Sequence, residues 1–173
     1  MKNNLLQSFL SFHLKNESFA LGVNRVLEII EVSDEQSITY LPKSPETIEG
    51  VVNFRGQVIP VVNMRLKFDM EAHTTSDKYV IMVLNLNING TEQVIGAMAD
   101  KVVDVLEIAE EDIQDVPEVG QGINSEFIQG LVHRDKQFIM LLDIEKAINS
   151  EEIIQLKDSL EEEEETIPNQ IHV

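Results

Sequence analysis

The chain contains no cysteine, which excludes a disulfide framework and any thiolate metal site and fits a reducing compartment. Basic residues are scarce. Against 13 Lys and Arg stand 31 Asp and Glu, a net charge of −18 that repels a phosphate backbone, so nucleic acid is not an expected partner. Apolar runs are short, and none approaches the roughly 18 to 20 residues needed to cross a bilayer. The apolar stretch of "MKNNLLQSFLSFHLKNE" is broken by polar residues and followed by no small-residue cleavage pattern, so neither a signal peptide nor membrane insertion is expected.

A reaction centre is also missing. His13, His73, His133 and His172 are widely separated and lack the spacing of local metal ligands, so each reads as an ordinary core or surface histidine. Gly120-Gln121-Gly122 lacks the third glycine of a dinucleotide loop and the Lys-Ser/Thr of a phosphate loop, and reads as a turn. Carboxylate clusters such as Glu110-Glu111-Asp112 arise by chance in an acidic chain and read as solvated charge. The expectation is a protein without catalysis, metal or cofactor.

What is present is enough for a globular core: 173 residues, 43% of them hydrophobic. Short apolar runs alternate with turn signals. "SFLSFHL" and "SFALG" flank a tip at Lys15-Asn16-Glu17, and "NRVLEIIEV" (24–32) reads as a strand because of its β-branched residues. Two prolines in "SITYLPKSPETIEG" exclude a continuous helix and point to an edge segment and a turn before Gly50. Asn89-Gly90 between apolar runs marks a hairpin with a type I′ turn, and a second hairpin is expected around Arg134-Asp135-Lys136. "EAHTTSD" (71–77) reads as a surface loop and "VVNMRLKFDM" turns helix-prone after Val62. Residues Ile144 to Leu160 carry an imperfect amphipathic pattern, while 161–173, with five consecutive glutamates, lack apolar density and read as an acidic, disordered tail. Strands at this spacing predict an all-β sandwich or barrel architecture, with no exact internal repeat visible.

The run "GVVNFRGQVIPVV" (50–62) sets an arginine amid apolar residues. Strand alternation puts Val52 and Phe54 on one face and Val51, Asn53 and Arg55 on the other, and Gly56 lets the chain turn back. Pro60, unable to donate to a ladder, points to an edge position. Two readings fit equally: Arg55 solubilises a hairpin tip, or it anchors a partner on a partly apolar surface.

This run, extended through "NMRLKF", resembles the signature of the CheW-like adaptor domain: a Gly-led apolar strand, Asn-x-Arg-Gly, then an apolar strand containing Pro. "FALGVNRVLEIIEV", "LPKSPETIEG", "IGAMADKVVDVLEI" and "FIQGLVHRDKQFIMLLDIEKAI" resemble the family's other blocks in order. The resemblance implies a mainly β fold of two small five-stranded SH3-like β-barrel lobes on a shared hydrophobic core, with short helices. The domain spans 7–150, followed by a C-terminal helix extension (151–160) and the tail (161–173). It implies a non-enzymatic cytoplasmic adaptor, associated with membrane-bound receptor arrays, that joins the cytoplasmic tip of methyl-accepting chemoreceptors to the regulatory domain of the histidine kinase CheA. Self-association within such arrays is compatible with it, as is a same-fold adaptor in a surface-motility or developmental pathway.

Position by position, Asn53, Arg55 and Gly56 fill the family's coupling motif, and Glu31 matches an acidic position tied to coupling. A salt bridge between Glu31 and Arg55 is an expectation. Ile29 and Val80 match apolar positions of a receptor-facing groove, although ordinary core placement fits them as well. Two departures stand out: Phe54 occupies a position where leucine is commoner, and the glutamate tail lies outside the family pattern.

Overall fold

A computed structural model describes residues 5–32, 38–74, 77–116 and 125–148. The expected helix beyond residue 148 and the acidic tail therefore lie outside the described residues. Ten strands form two five-stranded sheets. In chain order they are β1 (Leu6–Leu14), β2 (Glu17–Gly22), β3 (Val26–Glu31), β4 (Ile48–Phe54), β5 (Gln57–Asn63), β6 (Val80–Ile88), β7 (Thr91–Ala99), β8 (Lys101–Ala109), β9 (Ile128–Arg134) and β10 (Gln137–Leu142). Two single-turn helices, α1 (Met64–Lys67) and α2 (Ile144–Ala147), follow β5 and β10. The expected hairpins form, with Lys15, Asn89, Gly90, Asp135 and Lys136 in the left-handed region at their tips.

The sheets are built by exchange. One lobe has the order β8-β1-β2-β10-β9 and the other β3-β6-β7-β5-β4, so each combines two strands from one half of the chain with three from the other. The halves are structural repeats. A hairpin pairs in parallel with the last strand of the other half's β-hairpin, β2 with β10 and β7 with β5. The segment after β3 bridges β4 at Thr39↔Val51, and the segment after β8 bridges β9 at Gln114↔Leu131. The short helices are capped alike by Asn63 and Asp143.

The repeat is written in the sequence at low density: Ile48-x-Gly50-x-Val52 with Gln57-x-Ile59 recurs 80 residues later as Ile128-x-Gly130-x-Val132 with Gln137-x-Ile139. Reading for exact repetition missed it because only positions with a fixed structural duty are kept. Gly50 and Gly130 are such positions, since a Cβ at either would strike the carbonyl of the bridging residue, Thr39 or Gln114.

Three apolar clusters follow from strand alternation. Along β6, Ile81 and Val83 enter one lobe's own core while Met82, Leu84, Leu86 and Ile88 enter the core shared between lobes, which explains why "VIMVLNLNI" has little alternation. The shared core also takes Phe12 and Phe19, whose rings stack at 5.8 Å, with Phe68 against Phe19 at 5.3 Å. The other lobe closes on Phe9, Ala20, Ile108, Val132, Ile139 and Leu141.

Pro60 corrects one expectation. Its strand, β5, is interior to the sheet, between β7 and β4. Pro60 is tolerated because it faces Val51 at a non-hydrogen-bonded position set by the two-residue turn, and the ladder to β7 begins one residue later, at Val61↔Gly96.

Candidate functional site

Arg55 and Gly56 are the two turn residues of the β4–β5 hairpin, both with positive φ (51° and 81°), as a type I′ turn requires. Arg55 therefore stands at the tip, past the end of the strand in which simple alternation put it. Asn53 braces the turn by accepting from the Gly56 amide at 3.1 Å. The Arg55 guanidinium lies 4.8 Å from the centroid of the Phe54 ring. Phe54 is buried in the lobe core, so it is a fixed platform that holds the arginine outward. The side chain remains 69% exposed.

The carboxylate nearest Arg55 is that of Glu28, at 3.8 Å, and the expected Glu31–Arg55 bridge is replaced by this pair. Period-two geometry gives the reason. In β3, Glu28 and Ile30 pair with Val83 and Ile81, whose side chains enter the lobe's own core along with Phe54. Glu31 and Ile29 pair with Val80 and Met82 and project from the opposite face. The Arg55–Glu28 pair is long and exposed at both ends, so its contribution to stability is about 0 to 1 kcal/mol and its value is orientation.

The structure thus divides the six sequence-derived positions into two groups. Asn53, Arg55 and Gly56 make the tip, and Ile29, Glu31 and Val80 make a patch on the β3–β6 pair. Ile29 is 39% exposed and so is not a core residue; Val80 is half-buried against the shared core and pairs with Glu31.

Residues that the sequence reading passed over extend this surface. Leu27 is pushed out by a register irregularity between Val26 and Glu28, and Val58 is exposed on β5 beside the tip. The other lobe repeats the arrangement: Val103 is the irregular residue of β8, Val105 follows it, and Phe138 is the counterpart of Val58. All six of these apolar side chains (Leu27, Ile29, Val58, Val103, Val105, Phe138) are between 39% and 59% exposed. The signal that finds them is the repeat, since β3 and β8 align with an offset of 76 residues.

A buried polar node was also missed, because its members are distant in sequence. Asp100 accepts from Arg65 Nε at 2.8 Å and Nη2 at 2.7 Å, from His73 Nε2 at 2.8 Å and from the Lys15 amide at 2.6 Å. Burial opposes ionisation of Asp100, but these donors outweigh it and hold its carboxyl below the usual aspartate range. Residues 71, 72 and 74 of "EAHTTSD" are exposed and irregular as expected of a surface loop, but the His73 side chain turns inward and is only 6% exposed.

Two depressions lie on the surface of the described residues. One, of about 400 Å³, is open to solvent and lined by Asn87, Ile88, Phe127, Glu145 and Lys146. The other, of about 220 Å³, contains Ser11, His13 and Asp104, but the Ser11 hydroxyl is committed to the Asp104 carbonyl and amide at 3.0 and 3.1 Å. Among the described residues no three His, Cys, Asp or Glu side chains are grouped to hold a metal ion, and no helix is long and apolar enough to cross a membrane.

Comparison with known proteins is consistent with this architecture. The CheW-like domain family matches residues 8–152. The chain is 32% identical over 147 residues to a chemotaxis protein CheW of Klebsiella aerogenes, covering 85% of this chain and 84% of that one. To a chemotaxis protein CheW of Thermotoga maritima it is 34% identical over 139 residues, covering 80% and 85%. The crystal structure of a scaffolding protein CheW from Thermoanaerobacter tengcongensis superposes with a TM-score of 0.71 at 28% identity, covering 84% of this chain and 89% of that one.

Proposed function

The chain belongs to the CheW-like domain family of non-enzymatic chemotaxis scaffolds, and we propose that it couples the cytoplasmic tip of methyl-accepting chemoreceptors to the regulatory domain of the histidine kinase CheA. The observation that carries this reading is the pair of repeat-equivalent apolar strips, one on each lobe, left exposed on a protein of net charge −18. A solitary exposed apolar residue needs no explanation, but two matched strips on two lobes suit a molecule that touches more than one neighbour.

In this reading the apolar strips supply contact area, and Arg55 supplies orientation. A guanidinium held out on a fixed phenyl ring offers several planar donors at little conformational cost. Its loose pair with Glu28 leaves it free to exchange that carboxylate for one on a partner. Ile29, Glu31 and Val80 receive the receptor tip, whose helical apolar stripe suits a shallow strand-lined patch. The adaptor then works by held geometry: a receptor's conformational state reaches the kinase as a shift in population, with no chemistry in the adaptor itself.

The test is binding of the full chain to a receptor cytoplasmic fragment and to the CheA regulatory domain from the same cell, with reconstituted receptor-dependent kinase activity as the second readout. Wild type binds both. Arg55→Glu, folded by circular dichroism, loses one partner, and Arg55→Ala loses receptor control of the kinase. Failure of wild type to bind either partner overturns the reading, and undiminished coupling by Arg55→Ala removes Arg55 from the interface.

A further inference from the structure

The chain crosses between lobes twice, once from β2 to β3 and once from β7 to β8. At the first crossing Arg25 pairs with Glu145 of α2 at 2.6 Å, and Glu145 also accepts from the Asn87 amide at 2.9 Å. The second is held by Arg65 of α1, at the position 80 residues before Glu145, paired to Asp100 with the charges reversed. Each crossing thus carries an arginine–carboxylate pair. At the second crossing the structure holds much more.

Asp100 is the single residue between β7 and β8. Its amide donates to the His13 carbonyl at 3.0 Å, and its carboxylate takes four donors, about the capacity of that group. Two of the donors, from Arg65, belong to the lobe that the chain is leaving, and one, from Lys15, to the lobe that it enters. The fourth comes from a connecting segment of the lobe that the chain is leaving. His73 lies in the segment that joins α1 to β6, and its other ring nitrogen, Nδ1, is buried with no hydrogen-bond partner. Asp100 is thus the hydrogen-bond partner that the structure gives this ring. Nearby, Asp77 accepts from Arg65 Nη1 at 3.4 Å and from the Thr74 amide at 2.8 Å, so the segment is gripped a second time by the same arginine.

The grip leads toward the site. The His73 ring packs against Tyr79 with centroids 5.5 Å apart, Tyr79 packs against the core of the β3–β7 lobe, and the next residue, Val80, opens β6 opposite Glu31. We propose that Asp100 is a positioning residue for the receptor-facing patch: by holding Arg65 and His73 it seats the segment before β6 and, through Tyr79, fixes Val80 against Glu31 and Ile29. The inference rests on the reading of that patch given above. It assigns a remote carboxylate, 20 residues beyond Val80 in the chain, to the affinity for one partner of the two.

Full-length Asp100→Asn tests it, with hydrogen exchange at residues 77–81 as one measurement and separate binding to the receptor fragment and the CheA regulatory domain as the other. The expected result is at least tenfold faster exchange at 77–81, at least fivefold weaker receptor binding and kinase-domain binding within twofold of wild type. A loss shared equally between both partners shows general destabilisation and overturns the proposal, as does unchanged exchange or unchanged receptor binding. Should Asp100→Asn fail to fold, His73→Phe keeps the ring against Tyr79, leaves Asp100 with three donors, and carries the same expectations at smaller amplitude. If wild type binds no receptor fragment, the functional reading fails by itself; exchange at 77–81 then decides whether Asp100 seats this segment.

Discussion

The hairpin tips of the two lobes share a backbone and differ in where they keep their arginine. At the β9–β10 tip the turn is Asp135-Lys136, and Arg134, the last strand residue, donates to the Glu107 carbonyl of β8 at 2.6 Å. It ties one edge strand of its sheet to the other. At the β4–β5 tip the arginine is one residue later, in the turn itself, with its nearest carboxylate 3.8 Å away. The shift of one position converts a close strand-to-strand brace into an exposed, loosely paired head. Left-handed backbone does not separate the two tips, since Asp135 and Lys136 adopt it as Arg55 does; what differs is where the arginine stands.

The comparison can be broken where the repeat is strictest. Gly50→Ala brings a Cβ against the Thr39 carbonyl, main-chain atoms that cannot step aside, and is expected to cost about 3 kcal/mol in urea unfolding. Gly130→Ala meets the Gln114 carbonyl at 2.9 Å and the more yielding Ile113 side chain, and should cost about 2 kcal/mol; equal costs would mean that the two bridges are equally rigid.

The tips themselves sharpen it. Arg134→Ala removes the brace and should lower stability by about 1 kcal/mol without a specific effect on coupling. Gly56→Ala introduces no clash but places a Cβ at φ 81°, for a loss of about 1 kcal/mol measured the same way. Arg55→Ala should change stability by less than about 0.5 kcal/mol while removing receptor control, the inverse of Arg134→Ala. If both arginines behave alike in unfolding, the distinction drawn between brace and head is wrong.

The two crossings offer a finer contrast that is read by pH. Because the Asp100 carboxyl is held below its ordinary value, it contributes stability that is fully present above that value and is lost as pH falls through the depressed one. The gap in urea midpoint between wild type and Asp100→Asn should therefore be full at pH 7 and narrow progressively as pH falls below about 4. A gap unchanged at pH 3 would show that the side chain acts by shape and not by charge.

Much of the site was legible in the sequence because it lies in one short run. Asn53, Arg55 and Gly56 are neighbours, and a hairpin brings neighbours together without help from the rest of the chain. Glu31 is not the partner of Arg55 because alternation along β3 puts Glu28 and Ile30 on one face and Glu31 on the other, and which face meets the β4–β5 tip is set by sheet closure. His73, Arg65 and Asp100 escaped because 27 and 35 residues separate Asp100 from its two side-chain donors.

The sequence by itself determined the strands, their turns, the acidic surface and the motif at the hairpin tip, since alternation, positive-φ residues and net charge act over a few residues or over none. It also held the repeat, in a handful of positions that close packing makes obligatory. Only the tertiary structure decided that the halves exchange strands, that β5 with its proline is interior, that Arg55 faces Glu28, and that one carboxylate gathers four donors from three parts of the chain. Those outcomes depend on which segments meet across long loops, and the free energy that selects among them belongs to the shared core as a whole.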